Sequence, residues 1–174
     1  MILYPKEYFN NVREINIDFL QKNNIKALIL DVDNTLIDYD KNLSVETIRW
    51  AENLKQQGIK LYILSNSNKK EKVRTVAEKL QIEYEYFGKK PLKIGFKKVQ
   101  KKLEEKSENI GVVGDQIFTD VLGGNICKMF TILVEPIAEK DIWITLIKRP
   151  IENAIKNRYK KTKEGEYGKK TIHK

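Results

Sequence analysis

Short apolar runs alternate along this chain with helical patterns, and that alternation restricts the fold more than any other feature. Ile25–Leu30, Lys60–Leu64, a short run near Glu83–Tyr86, Ile110–Val113 and Phe130–Val134 each read as strands. Between them run helical patterns from Ser44 to about Gln57, from about Lys69 to Leu80, from Pro91 to about Glu105 and over about Phe118–Asn125. Ser44 suits an N-cap, Gly58 a helix stop and Pro91 a first helical turn, with Val45, Ile48 and Leu54 as inward-facing candidates. Strands that alternate with helices predict an α/β fold: a parallel five-stranded sheet with helices on both faces, a three-layer Rossmann-like arrangement. At 174 residues, with neither repeat nor linker, the chain fits one domain. A helical pattern returns between Asp141 and Lys161, divided at Pro150, so the domain is expected to span residues 1–161 with a basic helical segment at its end. Residues 162–174 are polar, lack apolar periodicity and read as a disordered basic tail.

Parallel sheets of this kind bind ligands beyond the carboxyl ends of their strands, and the chemistry-bearing residues fall there. The first strand ends in Asp31-Val32-Asp33-Asn34-Thr35. Residues two apart start on one face of an extended chain, and two neighbouring carboxylates repel unless one stays protonated. A bound divalent cation removes the conflict, and so does a division of labour between a nucleophile and an acid/base; an Asx-type turn is the plain alternative. The second strand ends in Ser65-Asn66, where a hydroxyl can donate to a phosphoryl oxygen or cap the next helix. Lys90, preferred over Lys89, stands just before a helix, a position that favours anions. The fourth strand ends in Gly114-Asp115, where glycine permits a sharp turn and the carboxylate can ligate a hard cation. Asp120, five residues on, can orient a ligand or hold a ligand water.

Charge and cysteine content narrow the partners. The chain carries a formal charge of +9, and residues 148–174 hold ten Lys/Arg against three Glu, so most of the excess lies at that end. A basic end suits an anionic partner, whether membrane surface, nucleic acid or phosphorylated substrate, or is simply a solvated tail. Ile142, Trp143, Leu146 and Ile147 lie beside it, to enter a membrane interface or pack on the core. Cys127 is the single cysteine, which excludes an intrachain disulfide. Apolar runs fall well short of the ~20 residues that span a bilayer, and Met1–Glu7 lacks the order of a signal peptide. A cytoplasmic protein, in peripheral contact with the inner face of the membrane, is the expectation.

Together, DVDNT at 31–35, the strand-end Ser65, Lys90 before a helix and GDQIFTD at 114–120 resemble the four motifs of the haloacid dehalogenase (HAD) superfamily of phosphotransferases. Lys90-Pro91 and Gly114-Asp115-Gln116 with Thr119–Asn125 look closer still to its capless type IIIA branch, the YqeG-like phosphatases, which are similar to phosphatidylglycerophosphate phosphatases. One departure is Ile126, where a basic residue is expected in many relatives. The resemblance implies that Asp31 is a nucleophile forming an aspartyl-phosphate and that Asp33 is the acid/base. Ser65 and Lys90 would then stabilise phosphoryl oxygens, and Mg²⁺ would be held by Asp31, the backbone carbonyl of Asp33 and Asp115. Asn34, Thr35, Asn66, Gly114 and Asp120 would support them. Neither the interval from Asp33 to Ser65 nor that from Ser65 to Lys90 has room for a cap domain, so the site should be open and the substrate phosphate carried on something large. An anionic phospholipid headgroup is the leading expectation; nucleic-acid or protein phosphates, or a non-catalytic RNA- or ribosome-associated role, are alternatives.

Overall fold

The computed structural model describes residues 2–137 and, beyond them, Asn153 and Asn157. Six strands form one parallel sheet: β1 (Glu7–Phe9), β2 (Ala27–Leu30), β3 (Lys60–Leu64), β4 (Glu83–Glu85), β5 (Ile110–Gly114) and β6 (Phe130–Val134), in the order β1-β6-β5-β2-β3-β4. The strands β2 and β5 are buried on both faces, which is why they read as near-continuous apolar runs. Helices α1 (Ile17–Lys22), α2 (Val45–Gln56), α3 (Lys70–Leu80), α4 (Lys93–Leu103) and α5 (Leu122–Ile126) complete the fold.

The pleat sorts the core into two halves. Leu28 and Leu30 pack with Leu20, Trp50, Leu54, Val73 and Leu80 of α1, α2 and α3. Ala27 and Ile29 point the other way, into a cluster with Phe96, Val99 and Leu103 of α4 and with Cys127 and Met129. Three layers result, as the alternation of elements predicts. The chain runs outward from β2 through β3 to β4 on one side, then returns to β5 on the other, so the sheet reverses its winding between β2 and β5. A crevice at such a reversal, on the carboxyl side, is where doubly wound folds bind ligands.

Several expectations need correction. The sheet has six strands rather than five: β1 is only three half-buried residues at the edge, paired with β6, and too short to carry a period. Helix α1, six residues capped by the Asn16 side chain, is likewise below the length at which periodicity speaks. Pro91 does not open the third long helix. It follows a cis peptide from Lys90, and α4 begins at Lys93 with Leu92 as N-cap. The stretch 118–125 is not one helix but a π-turn over Ile117–Val121 that leads into α5. Ser44 does cap α2, accepting from the Thr47 amide at 3.1 Å, but Val45 faces solvent; Leu54 is buried and Ile48 packs at the margin of the core. The interval between Asp33 and Ser65 holds one loop, α2 and β3, and that between Ser65 and Lys90 holds α3 and β4, so no cap domain is inserted in either. No helix among the described residues is long and apolar enough to cross a membrane. The helical segment expected over 141–161, the domain end at 161 and the tail over 162–174 lie outside the described residues, apart from Asn153 and Asn157, which are helical and exposed.

Candidate active site

Three strands deliver the site. Asp31 leaves the end of β2, tied to β5 by its amide on the Val113 carbonyl at 2.9 Å. Ser65 leaves the end of β3 and Asp115 the end of β5. Asp31, Asp115 and Asp120 are all buried, and each offers a carboxylate oxygen within 4.8 Å of the others. Asp120 reaches them because the π-turn folds it back over the strand end, where its Oδ2 accepts from the Gln116 amide and the Thr119 hydroxyl, both at 3.3 Å. Gly114 makes room for it, since a Cβ there would collide with the Asp120 carboxyl group.

Lys90 enters from the opposite wall. Its Nζ donates to Asp31 Oδ1 and Asp120 Oδ1, each at 2.6 Å, with all three side chains nearly inaccessible to solvent. Asn66 fixes the Lys90 backbone: its Oδ1 accepts from the Lys90 amide at 2.7 Å and its Nδ2 donates to the Lys90 carbonyl at 2.9 Å. Burial alone would lower the Lys90 pKa, but the two carboxylates reverse this and hold the ammonium above the ordinary lysine value. Burial is also the largest influence on Asp31, whose pKa is pushed up to about 6; Lys90 opposes the rise and the Asp120 charge adds to it.

Charge counting tests the fit of a metal. Asp31, Asp115 and Asp120 as carboxylates bring three negative charges to a buried volume in which Lys90 supplies one positive charge. A divalent cation closes the balance, and an oxygen-only donor set suits a small hard ion. The residues present therefore fit Mg²⁺.

The remaining predicted residues divide. Asp33 does not join the carboxylate cluster: its side chain is about half exposed and is held by Lys72 Nζ, at 2.5 Å from Oδ1 and 2.7 Å from Oδ2. Ser65 is fully buried, its Oγ accepting from the Ser67 amide at 3.1 Å, which leaves its O–H free to point elsewhere. Asn34 takes a left-handed φ of 60°, which asparagine tolerates, and its Oδ1 and the Thr35 Oγ1 are buried without hydrogen-bond partners. The residue that sequence reasoning missed is Lys72, one of many lysines in a lysine-rich chain, with nothing local to mark it.

Known proteins resemble this chain in sequence and in fold. The profile of the family described as mitochondrial PGP phosphatase matches residues 1–138. A Bacillus subtilis (strain 168) protein described as the probable phosphatase YqeG is 40% identical over 152 residues, 87% of this chain and 88% of that one. Among solved structures, a Listeria monocytogenes serotype 4b protein superposes with a TM-score of 0.55 at 19% identity, over 67% of this chain and 84% of that one. The 3-deoxy-D-manno-octulosonate 8-phosphate phosphatase of Yersinia pestis does so with a TM-score of 0.51 at 17% identity, over 69% and 78%. At these identities the two structures speak for the fold alone.

Proposed function

The chain belongs to the PGP phosphatase family and is a HAD-type phosphatase, and from that premise we propose that it hydrolyses the terminal phosphomonoester of phosphatidylglycerophosphate with Mg²⁺ as cofactor. The observation that carries the reading is the buried knot at the switch point of the sheet, in which Lys90 bridges Asp31 and Asp120 beside Asp115. It would bring a nucleophile, a phosphoryl-binding cation and carboxylates able to hold a metal into one small volume.

In this mechanism the Asp31 carboxylate attacks phosphorus while the bond to the leaving alcohol oxygen breaks, and Asp33 gives that oxygen its proton. Asp33 then takes a proton from the water that attacks the aspartyl-phosphate, which releases inorganic phosphate and regenerates Asp31. Lys90, with the Ser65 hydroxyl, stabilises negative charge on the equatorial phosphoryl oxygens, the principal task in phosphoryl transfer. Asp31, Asp115 and the Asp33 carbonyl would hold Mg²⁺, with Asp120 supporting them. When bound, the ion would supply the positive charge that lets an anionic nucleophile approach an anionic ester. Asn66 keeps Lys90 in place through the two backbone contacts described above. Without a cap inserted between the motifs, the open site admits a headgroup that stays attached to its bilayer. The basic residues 148–174 would dock on the anionic leaflet, each cation near the surface contributing about 1 kcal/mol.

The test is Mg²⁺-dependent phosphate release from phosphatidylglycerophosphate in mixed micelles, with Asp31→Asn as the blank. Release that is lost in the variant supports the reading. Folded, Mg²⁺-supplied protein that releases phosphate from p-nitrophenyl phosphate but not from the lipid removes the lipid and leaves the phosphatase.

A further inference from the structure

We propose that a lysine-lined cleft beside Asp33 is a second anion-binding subsite, which takes a phosphodiester carried on the leaving group of the substrate. The cleft has a volume of about 340 Å³, and Lys41, Lys69, Lys72 and Lys79 line it together with Leu43 and Val76. The one acidic residue on its wall, Glu71, is engaged by Arg74 at 2.5 Å. Among the described residues Lys41, Lys69 and Lys79, which line the cleft, form no ion pair. Three unpaired lysines, brought together from the loop before α2, the N-cap of α3 and its last turn, are an arrangement that favours an anion.

Lys72 gives the cleft its relation to the chemistry. It lines the cleft and grips both oxygens of Asp33. On the reading proposed above, Asp33 hands its proton to the leaving oxygen, so the cleft that opens beyond Lys72 lies on the leaving-group side. A leaving alcohol that itself bears a phosphodiester would lay that charge among the lysines while its phosphomonoester meets Asp31 and Lys90. A nucleic-acid strand also offers a neighbouring phosphodiester, but the cleft has no aromatic residue on its walls, and bases are held chiefly by stacking. Leu43 and Val76 suit the aliphatic stem of a glycerol headgroup instead.

The experiment uses the full chain and a ligand that lacks the reacting phosphate. Glycerophosphoglycerol carries only the phosphodiester of the deacylated headgroup, so its binding, followed by calorimetry or ligand-observed NMR, reads the subsite apart from turnover. Saturable binding is expected, weakened about tenfold or more by the double substitution Lys69→Gln with Lys79→Gln. The double substitution Lys101→Gln with Lys102→Gln, on α4, removes the same two charges away from the cleft and is expected to leave it within about twofold. Binding that is absent in the unaltered protein, or lowered equally by the double substitution on α4, overturns the subsite. A dithymidine phosphodiester that binds more tightly than glycerophosphoglycerol and is lost in the same double variant overturns the assignment to a lipid headgroup. Phosphate release from the headgroup, measured in parallel, tests the parent reading separately: it can persist when the subsite fails, and the subsite can bind when it is absent.

Discussion

At the scale of single residues, the site is a problem of buried charge. Asp31 has a folded pKa of about 6 against an ordinary value of 3.8, mainly because burial penalises the carboxylate. The folded state therefore holds this proton more tightly than the unfolded chain does. Its contribution to stability is fully present below 3.8 and is lost as the pH rises through 6. In EDTA, Asp31→Asn, which carries no charge to desolvate, should raise the melting temperature at pH 7.5, and the gain should be clearly smaller at pH 4.5. Thermal unfolding at the two pH values checks this, and a variant less stable than the parent at pH 7.5 contradicts it. Lys90 carries the opposite expectation. Removing it as Lys90→Met leaves Asp31 and Asp120 buried with no counter-charge, and stripping one partner from a buried ion pair costs about 3–5 kcal/mol. A urea titration of the metal-free protein should show that loss, with Mg²⁺ restoring part of it. Activity should fall to the level of Asp31→Asn.

At the scale of elements, strand ends place Asp31, Ser65 and Asp115, whereas Asp120 depends on a turn. Gly114 ends β5, and the π-turn at Ile117–Val121 folds Asp120 back over it. Gly114→Ala would put a methyl group where the Asp120 carboxyl lies. The expected result is a loss of about tenfold or more in Mg²⁺ affinity with a stability cost of about 1–3 kcal/mol, read by metal titration and urea unfolding on one preparation; unchanged metal affinity would separate Asp120 from the metal. The strands β2, β3, β5 and β6 were legible in the sequence because burial on both faces forces apolar runs. Asp31, Ser65 and Asp115 were legible with them, since a polar residue that ends such a run must sit at the rim of the sheet. The edge strand β1 and helix α1 were not, because elements of three and six residues carry no period. The start of α4 is not legible, because proline is tolerated in a first helical turn, whereas here it precedes the helix. Lys72 was invisible for a different reason: only the packing of α3 against the sheet, a tertiary fact, brings one of its several lysines onto Asp33.

At the scale of the whole molecule, a protein of net charge +9 folds around a pocket of net negative charge. Three carboxylates and one ammonium share that pocket, so a divalent cation should bind the folded chain and hardly bind the unfolded one, in which the same groups are scattered. Ligands with that preference stabilise by mass action: at a Mg²⁺ concentration one hundred times the dissociation constant the gain is about 2.7 kcal/mol. For a chain of this size each kcal/mol moves the melting temperature by about 2–4 °C, so saturating Mg²⁺ at pH 7.5 should raise it by about 5–11 °C over EDTA. Because the ion needs Asp31 ionised, protons compete with it. The increment should decline as the pH falls through about 6, opposite in sign to the intrinsic gain from protonating Asp31 in the metal-free protein. Asp115→Asn should abolish most of the increment while leaving the metal-free melting temperature no lower, since it removes one of the three repelling charges. A Mg²⁺ increment that is absent in the unaltered protein, or intact in Asp115→Asn, would mean that the carboxylate knot is not the metal site and that Lys90 alone answers the charge of Asp31.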